Sequence, residues 1–403
     1  MHDIIVQKPY KFIPPHEGDW IPRLIQKFRL VDRYLAKYEG VTSYEIRGID
    51  HLKESLRQRR GVLLAPNHCR YADPLVMVWV AREIDTHLFA MASWHLFNQS
   101  KFNAFAIPIM GGFSVYREGL DRQSLEKAIS VLVKAVRPLV VFPEGTVFRT
   151  NDVLQPLLEG VAFMARAAAR KRVKEDGGQV VIHPVAIKYL FHGDLKKSVE
   201  PVITSIEERL TWRTSPDMQL IERVERVANA LLTLKEIEYL GSPQAGTNSV
   251  RQTRLIDHLL GPLEEELLGS IQQGALVPRI KQLRTKMVPT LTASELTPAQ
   301  RDKIWRNLAA LYLAQQVGSY PNEYTRRPTT VTRILETVER LEEDLTDRSQ
   351  IHRPLHAVIQ IDEAISVGTD KAPKDQEDPI MAQLRSRLQG MLDVLALEAQ
   401  PFE

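Results

Sequence analysis

The segment Leu63–Trp79, LLAPNHCRYADPLVMVW, carries the pattern on which the fold and the chemistry of this chain depend. It continues an apolar run bounded by glycine and proline (residues 61–66), which is typical of a buried strand. The segment after the turn has helical spacing, and one interpretation makes Asp73 its N-cap and Pro74 its first helical residue. The other interpretation is an acid/base pair, His68 and Asp73, at the end of a sheet.

Composition restricts the class of protein. The chain has 403 residues, is 44% hydrophobic and 26% charged, and carries a net charge of +3, which is ordinary for a folded protein and argues against a nucleic-acid partner. Cys69 is the single cysteine, so we expect a reducing compartment. We find no signal-peptide pattern, no internal repeat and no apolar window long enough to span a bilayer, so any membrane role is expected to be peripheral.

Strand and helix patterns alternate through the first half of the chain. This alternation predicts an α/β fold, with a mostly parallel central sheet flanked by helices. The predicted strands are 61–66, 86–92, 138–145 and 179–191, and the predicted helices are 73–84, 124–136 and 157–175.

Helical patterns dominate from about residue 206 to 350, and then a strand pattern returns at 355–368. A lone strand is not stable, so we expect it to pair with the earlier sheet. We therefore predict an N-terminal arm and amphipathic helix at 1–44 and an α/β domain at 45–205. A helical insertion would follow at 206–350, and 351–403 would complete the α/β domain. Two consecutive domains are the alternative.

The predicted helix from Asp19 to Tyr38 has an apolar stripe beginning at Trp20 and many basic residues on its other positions. A basic amphipathic helix that starts with an aromatic residue suits a lipid headgroup layer. The alternative is that it packs on the domain with its charges in water. The aromatic-rich segment 93–113 leaves the same two alternatives, a bilayer interface or a core around a pocket.

Polar groups follow several predicted strands, where ligands gather in a parallel sheet. His68 has the chemistry to take a proton from a hydroxyl, with Asp73 fixing its tautomer. Arg117 has the chemistry to bind a phosphate, and Gly145 allows close approach of backbone. No protein nucleophile is apparent, so the substrate is expected to bring the hydroxyl. Each group also has an ordinary structural interpretation, as a helix start, a turn or a surface ion pair.

Four blocks in order resemble the glycerolipid acyltransferase family, typified by 1-acylglycerol-3-phosphate acyltransferases. They are Asn-His-x4-Asp (67–73), GGFSVYR ending at Arg117, Phe-Pro-Glu-Gly-Thr (142–146) and HPVAI (183–187). The resemblance covers roughly residues 45–205 and 352–400, and it does not extend to the helical insertion.

The resemblance implies an O-acyltransferase that moves a fatty acyl group from acyl-coenzyme A or acyl carrier protein to a lysophospholipid or glycerol-phosphate-type hydroxyl. It implies His68 as general base, Asp73 as its orienting partner and Arg117 as the phosphate ligand. It implies no metal and no bound cofactor, and a cytoplasmic enzyme at the inner face of a membrane, whose partners are the lipid surface and the thioester donor. The implied substrate-binding residues are Asn67, Arg70, Arg117, Glu144, Gly145, Thr146 and Arg149.

Some positions depart from the family pattern. Arg70 stands where serine is frequent, Ser114 stands where phenylalanine is usual, and the basic residue after Glu-Gly-Thr arrives only at Arg149. These changes leave the transfer chemistry intact and put the acceptor in question. A catalytically silent lipid-binding scaffold on the same fold, or a thioester hydrolase in which His68 activates water, are the alternatives.

Overall fold

The computed structural model describes residues 5–175, 177–211, 217–293, 295–319, 324–325, 328–370 and 377–402. They form two compact units. One, the α/β unit, consists of residues 10–190 and 353–398, and the other, the helical unit, contains residues 5–9, 191–352 and 399–402 within those described ranges. The boundaries predicted at residues 44, 205 and 350 do not coincide with these divisions and stay predictions.

The α/β unit is built on a sheet that has eight strands within the described residues, in the order β1-β7-β6-β2-β5-β3-β4, with β8 paired to β6. The ladders β1–β7, β6–β2, β2–β5, β5–β3 and β3–β4 are parallel, and β6–β8 is antiparallel. The mostly parallel sheet predicted from the sequence is therefore confirmed. The strands are β1 (Val41–Arg47), β2 (Gly61–Pro66), β3 (Phe89–Ser93), β4 (Gly112–Val115), β5 (Leu139–Val140), β6 (Val180–Phe191), β7 (Leu355–Ile361) and β8 (Ile365–Ser366).

Helices flank this sheet. Every residue of β2 is buried, and so is every residue of β6, as expected for central strands covered on both faces. The late strand β7 lies between β1 and β6, so the return of strand pattern after the long helical stretch reflects sheet pairing. The helices of this unit are α1 (Trp20–Lys27), α2 (Leu30–Tyr34) with a π-helical turn at Leu35–Glu39, α3 (Ile49–Arg57), α4 (Asp73–Glu83), α5 (Trp94–Gln99), α6 (Lys101–Ile109), α7 (Arg122–Lys134), α8 (Gly160–Glu175) and α15 (Pro379–Ala396).

Two predicted elements differ from the structure. The strand predicted at 138–145 is ordered as a strand only at Leu139–Val140, because the chain turns at Phe142, whose carbonyl accepts the Gly145 N–H. The single helix predicted at 19–38 is broken at Arg29, which has a left-handed backbone with φ 49°. Both halves bury part of their surface, at Pro22 in the first and at Val31 and Leu35 in the second.

The helical unit contains α9 (Leu195–Thr211), α10 (Leu220–Leu240), α11 (Asn248–Leu268), α12 (Leu276–Ala293), α13 (Pro298–Gly318) and α14 (Val331–Thr346). Its first helix begins before the predicted start at residue 206. Leucines of α10 to α13 form a buried core that also takes in Ile5 from the N-terminal arm. In α14 every residue from Val331 to Leu341 is buried.

A recurring contact shows that the helical unit does contain an internal repeat, contrary to the expectation from sequence. A glutamate in the last turn of one helix binds an arginine in the first turn of the next: Glu207 with Arg223, Glu236 with Arg251 and Glu264 with Arg279. The loop after each of the last two glutamates also repeats, as Gly-Ser-x-Gln at 241–244 and 269–272, 28 positions apart.

Each repeat joins two consecutive helices through a buried ion pair. Arg251 donates through Nε and Nη2 to the two carboxylate oxygens of Glu236 at 2.8 and 2.7 Å, and the Gln244 N–H adds a third bond at 3.1 Å. Burial raises the pKa of Glu236, but the Arg251 hydrogen bonds outweigh it and hold that pKa below its ordinary value. Sequence inspection missed the repeat because helical spacing is common to all these helices and only the paired residues recur.

Candidate active site

The site is built on the turn between β2 and α4, at the carboxyl end of a central strand. The parallel neighbours of β2 are β5 and β6, so the segments that follow these strands converge on the turn. This topology is the reason that residues far apart in sequence surround His68.

His68 and Asp73 meet, as the pattern predicted. The Nδ1 atom of His68 lies 2.9 Å from Oδ2 of Asp73, and the two side chains are 16% and 0% exposed. The His68 ring stacks on the Phe142 ring with centroids 4.2 Å apart. Because Nδ1 faces the carboxylate, Nε2 is the nitrogen placed to exchange a proton with a substrate.

Asp73 is not the N-cap of α4, which corrects the structural interpretation of this residue. Ala72 holds that position. The Asp73 carboxylate instead turns back into the loop, where Oδ2 also accepts the Arg70 N–H at 2.9 Å. Its other oxygen, Oδ1, accepts the Tyr189 hydroxyl at 2.7 Å. The carboxylate is therefore fixed in position by its partners before any ligand binds.

Tyr189 is a site residue that the sequence analysis missed. It lies on β6, is fully buried and donates its hydroxyl to Asp73. Burial, with the nearby Asp73 charge, raises the pKa of Tyr189 well above its ordinary value, so it remains a donor. The sequence shows only a hydroxyl-bearing side chain in a largely apolar strand that also contains His183 and Lys188, and the sheet order is what brings that hydroxyl to Asp73.

The side chain of Glu144 holds the histidine segment by binding the backbone N–H of His68. Its Oε1 accepts the His68 N–H at 2.6 Å, and its Oε2 accepts the Gln155 N–H at 2.9 Å. Burial raises the pKa of Glu144 to about 8 despite these two hydrogen bonds. Glu144 therefore orders the loop under the site by contacts within the protein.

Gly145 connects that loop to the predicted phosphate ligand. The Arg117 guanidinium donates through Nη2 to the Gly145 carbonyl. Gly145 has φ 73°, and a Cβ on it would lie 2.6 Å from a methyl of Leu158, so a larger residue is disfavoured by both conformation and space. Adjacent residues thus position the two predicted functional groups: Glu144 holds His68, and Gly145 holds Arg117.

The N-terminal arm supports the Arg117 segment. The Tyr10 ring stacks on the ring of Tyr116 at 5.1 Å, and its hydroxyl donates to Asp121 at 2.5 Å. The same Asp121 oxygen accepts the Tyr116 N–H at 2.9 Å. Ser114, which departs from the family pattern, binds the arm as well, because its hydroxyl accepts the Ile13 N–H at 2.8 Å.

Two asparagines extend the sheet ladder past the end of β2. Asn67 exchanges two hydrogen bonds with the backbone of Ile187, at 3.0 and 2.7 Å. Asn151 repeats the arrangement two residues further along β6, on Tyr189, at 3.3 and 3.1 Å. Both are buried, so Asn67 positions the turn that carries His68, and Asn151 is a second residue that sequence reasoning missed.

The remaining predicted binding residues lie on different sides of this turn. Arg70 is only 6% exposed, with its guanidinium 5.5 Å from the centre of the Tyr189 ring, so it lies behind Asp73. Arg149 lies on the outer side, 5.3 Å from the ring of exposed Tyr71. Thr146 follows Gly145 and is half-buried.

The aromatic segment at 93–113 divides between the two alternatives. Trp94 and Phe97 are 7% and 4% exposed and belong to the core, whereas Phe102 and Phe105 on α6 are 68% and 66% exposed.

None of the helices within the described residues is long and apolar enough to cross a bilayer. The described residues also contain no group of three or more His, Cys, Asp or Glu side chains placed to hold a metal ion.

Comparison with known families identifies the segment that contains the site. Residues 47–188 match the family model described as Acyltransferase, which confirms the resemblance of the four sequence blocks. The matched segment contains His68, Asp73, Arg117 and the Glu144–Gly145 pair. A comparison with curated proteins finds no match.

Proposed function

We propose that this protein, whose residues 47–188 form a domain of the acyltransferase family, transfers a fatty acyl group from a thioester to a lipid hydroxyl. The donor in this proposal is acyl-coenzyme A or acyl carrier protein. The acceptor is a lysophospholipid or a glycerol-phosphate-type alcohol at a membrane surface. The observation that carries the proposal is the 2.9 Å contact between His68 and Asp73 beside the Arg117–Gly145 link.

The proposed step begins when Nε2 of His68 takes the proton from the acceptor hydroxyl. The oxygen attacks the thioester carbonyl, and the tetrahedral intermediate collapses with loss of the thiolate. The proton then passes from His68 to the sulfur, which leaves an ester and a free thiol. Asp73 stabilises the imidazolium that forms in between, and its buried, hydrogen-bonded carboxylate supports that role.

The oxyanion of the intermediate needs donors that the loop itself does not use. The amides of His68, Arg70 and Asp73 already donate to Glu144, Asp73 and the Arg70 carbonyl. These three amides therefore hold the loop, and we assign the oxyanion to donors outside this set.

Arg117 is the proposed ligand for the acceptor's phosphate. Its planar guanidinium presents N–H groups in a fork that matches phosphate oxygens, and its bond to the Gly145 carbonyl places it beside the loop that holds His68. Arg149 lies near the outer end of the same turn and is a second candidate for this role. We assign Arg70 instead to the support of Asp73, because it is buried behind that carboxylate.

Peripheral membrane association is part of the proposal. The exposed Phe102 and Phe105 on α6 and the exposed Trp20, Leu24 and Phe28 on α1 and its end provide apolar surface of the kind that enters a lipid interface.

The test uses the purified full chain, labelled acyl donors of both kinds and a panel of lysolipids together with glycerol 3-phosphate. We expect acyl-lipid product with the wild type and a loss of about 1,000-fold or more in the rate for His68→Ala. His51→Ala, an exposed histidine on α3, is the matched control and is expected to retain activity. Thioester loss without acyl-lipid would indicate a hydrolase instead, and lipid binding without turnover of either donor would indicate a scaffold.

A further inference from the structure

A cleft of about 700 Å³ is lined by the α1–α2 segment, by the first residues of β1 and by Trp79 of α4. β1 is an end strand of the sheet, so the cleft is at the edge of the α/β unit. None of the nine predicted site residues lines it. The cleft is therefore separate from the site around His68.

The charges that line the cleft are mostly positive. Lys27, Arg29 and Arg33 line it, are exposed, and have no ion pair among the described residues. The acid among the lining residues is Asp32, which Arg82 neutralises through two hydrogen bonds of 2.6 and 3.1 Å. An uncompensated triple positive charge at one cleft favours an anionic group such as a phosphate.

The surface beside the cleft is apolar and exposed. The six large apolar side chains that α1, α2 and their ends expose by 42–64% are Trp20, Leu24, Phe28, Leu30, Tyr34 and Tyr38. Phe28 also lines the cleft, as do Tyr44 and Trp79, which stack with ring centres 4.1 Å apart. A free phosphate would leave this apolar surface in water, whereas a phospholipid in a bilayer provides a phosphate for the cleft and acyl chains for the apolar side chains.

The backbone is shaped to present this combination. Arg29 has the left-handed conformation with φ 49° and ψ 41° and separates the two short helices. This conformation is disfavoured for a residue with a Cβ, and such strain persists where the surroundings hold it in place. The break sets Phe28 and Arg29 together at the cleft, where one continuous helix would separate their directions by about 100°.

We propose that this cleft binds the phosphate of an anionic membrane phospholipid, while the exposed apolar side chains of the α1–α2 segment enter the bilayer around it. The inference rests on the membrane association in the proposed function and adds a headgroup-selective anchor at a second position. It concerns a lipid that stays in the bilayer, and not the acyl acceptor.

The test is co-sedimentation of the full chain with vesicles, without any acyl donor. One set of vesicles is pure phosphatidylcholine and the other contains phosphatidylglycerol. We expect binding to the second set to be roughly a hundredfold tighter, since each of three charges near an anionic bilayer contributes about a fivefold factor. The triple variant Lys27→Gln, Arg29→Gln, Arg33→Gln is expected to lose most of that preference.

The matched control neutralises three exposed lysines elsewhere in the α/β unit, Lys134→Gln, Lys171→Gln and Lys174→Gln. It makes the same change in net charge and is expected to lose far less binding. Ala36→Phe is the second variant, because Ala36 lines the cleft and the larger side chain fills it while every charge remains. We expect Ala36→Phe to lose the preference for phosphatidylglycerol, with its circular dichroism unchanged.

Four results would overturn the proposal. These are equal binding to both vesicle sets, equal losses in the two triple variants, displacement by soluble glycerol phosphate at the affinity of the lipid, or a preference for a polyglutamate peptide over vesicles. His68→Ala is expected to bind vesicles like the wild type. Failure of acyl transfer and failure of this anchor are thus recorded by different measurements.

Discussion

Buried charges are organised differently in the two units. In the helical unit, the buried Glu207, Glu236 and Glu264 each bind an arginine 15 or 16 positions later, and the arrangement repeats along the chain. In the α/β unit, the buried carboxylate Asp73 collects donors from the adjacent turn and from Tyr189, which is 116 positions away. Local and repeated pairs are typical of stabilising links, whereas a single convergence of distant groups around a partly buried imidazole is typical of a chemical site. The comparison teaches that burial of charge alone does not identify function.

The strongest test of this distinction is Asp73→Asn. The amide has one acceptor oxygen, so it cannot accept both the Tyr189 hydroxyl and the His68 and Arg70 N–H groups. It also lacks the negative charge that stabilises an imidazolium. We expect the turnover rate to fall by about 100- to 10,000-fold, while the thermal midpoint changes little. Initial rates at saturating donor measure the effect, with Asp50→Asn, an exposed aspartate on α3, as the control. If Asp73→Asn instead lowers the free energy of unfolding by as much as it raises the activation free energy, the role of Asp73 is structural, like that of the Glu–Arg pairs.

The second test breaks one repeat of the helical unit. Arg251→Met leaves Glu236 buried without its partner, and we expect the free energy of unfolding to fall by about 3–5 kcal/mol. Urea unfolding followed by circular dichroism measures it. The double variant Arg251→Met, Glu236→Leu is expected to recover much of that loss, and acyl transfer below the unfolding transition is expected to stay at the wild-type level. Arg254→Met, an exposed neighbour, is the control, and an equal effect from it would contradict the proposed role of the pair.

The third test concerns Glu144, which lies at the site but, like the glutamates of the helical unit, is buried and bonded only within the protein as far as its hydrogen bonds to His68 and Gln155 show. Its pKa rises from 4.5 to about 8 on burial, so between these values the folded state keeps a proton that the unfolded state has lost. Stability therefore falls as pH rises through this window, by up to about 1.4 kcal/mol per pH unit. Glu144→Gln removes this dependence.

The measurement compares urea midpoints of the wild type and Glu144→Gln from pH 5 to pH 9. As pH rises, we expect the wild type to lose stability relative to Glu144→Gln. Glu159→Gln, an exposed carboxylate at the start of α8, is expected to follow the wild type. Parallel curves for the wild type and Glu144→Gln would show that the Glu144 carboxyl ionises at an ordinary pH.

The smallest expected effect is that of Tyr10→Phe. The variant keeps the ring stacked on Tyr116 and removes the hydroxyl that donates to Asp121. We expect a loss of about 1 kcal/mol, seen as a rise of roughly fivefold in the KM for the acceptor with little change in kcat. Tyr239→Phe, on α10 of the helical unit, is the control. A fall in kcat alone, with KM unchanged, would contradict a role in positioning Arg117.

The pairing of His68 with Asp73 was predictable because both lie within one short turn, whose geometry a strand end and a helix start fix locally. For Arg117 and Gly145 the sequence predicted only that both lie at the same edge of the sheet. Their contact was not predictable, because no single segment determines the order of the strands. Tyr189 and Asn151 were not predictable, because their role depends on which strand pairs with β2. The Glu–Arg repeat was present in the sequence, but it becomes recognisable only once helix ends are known.

The amino-acid sequence by itself determined the alternation of strands and helices, the His68–Asp73 turn and the match of residues 47–188 to the acyltransferase family model. Hydrophobic periodicity, turn residues and short motifs depend on residues a few positions apart, so they can be recognised in the sequence. Only the tertiary structure decided that Glu144 and Gly145 hold His68 and Arg117, that α1 ends at a strained Arg29, and that a basic cleft opens beside β1. These features depend on strand order and packing, which bring together groups whose separation along the chain carries no information about their distance in space.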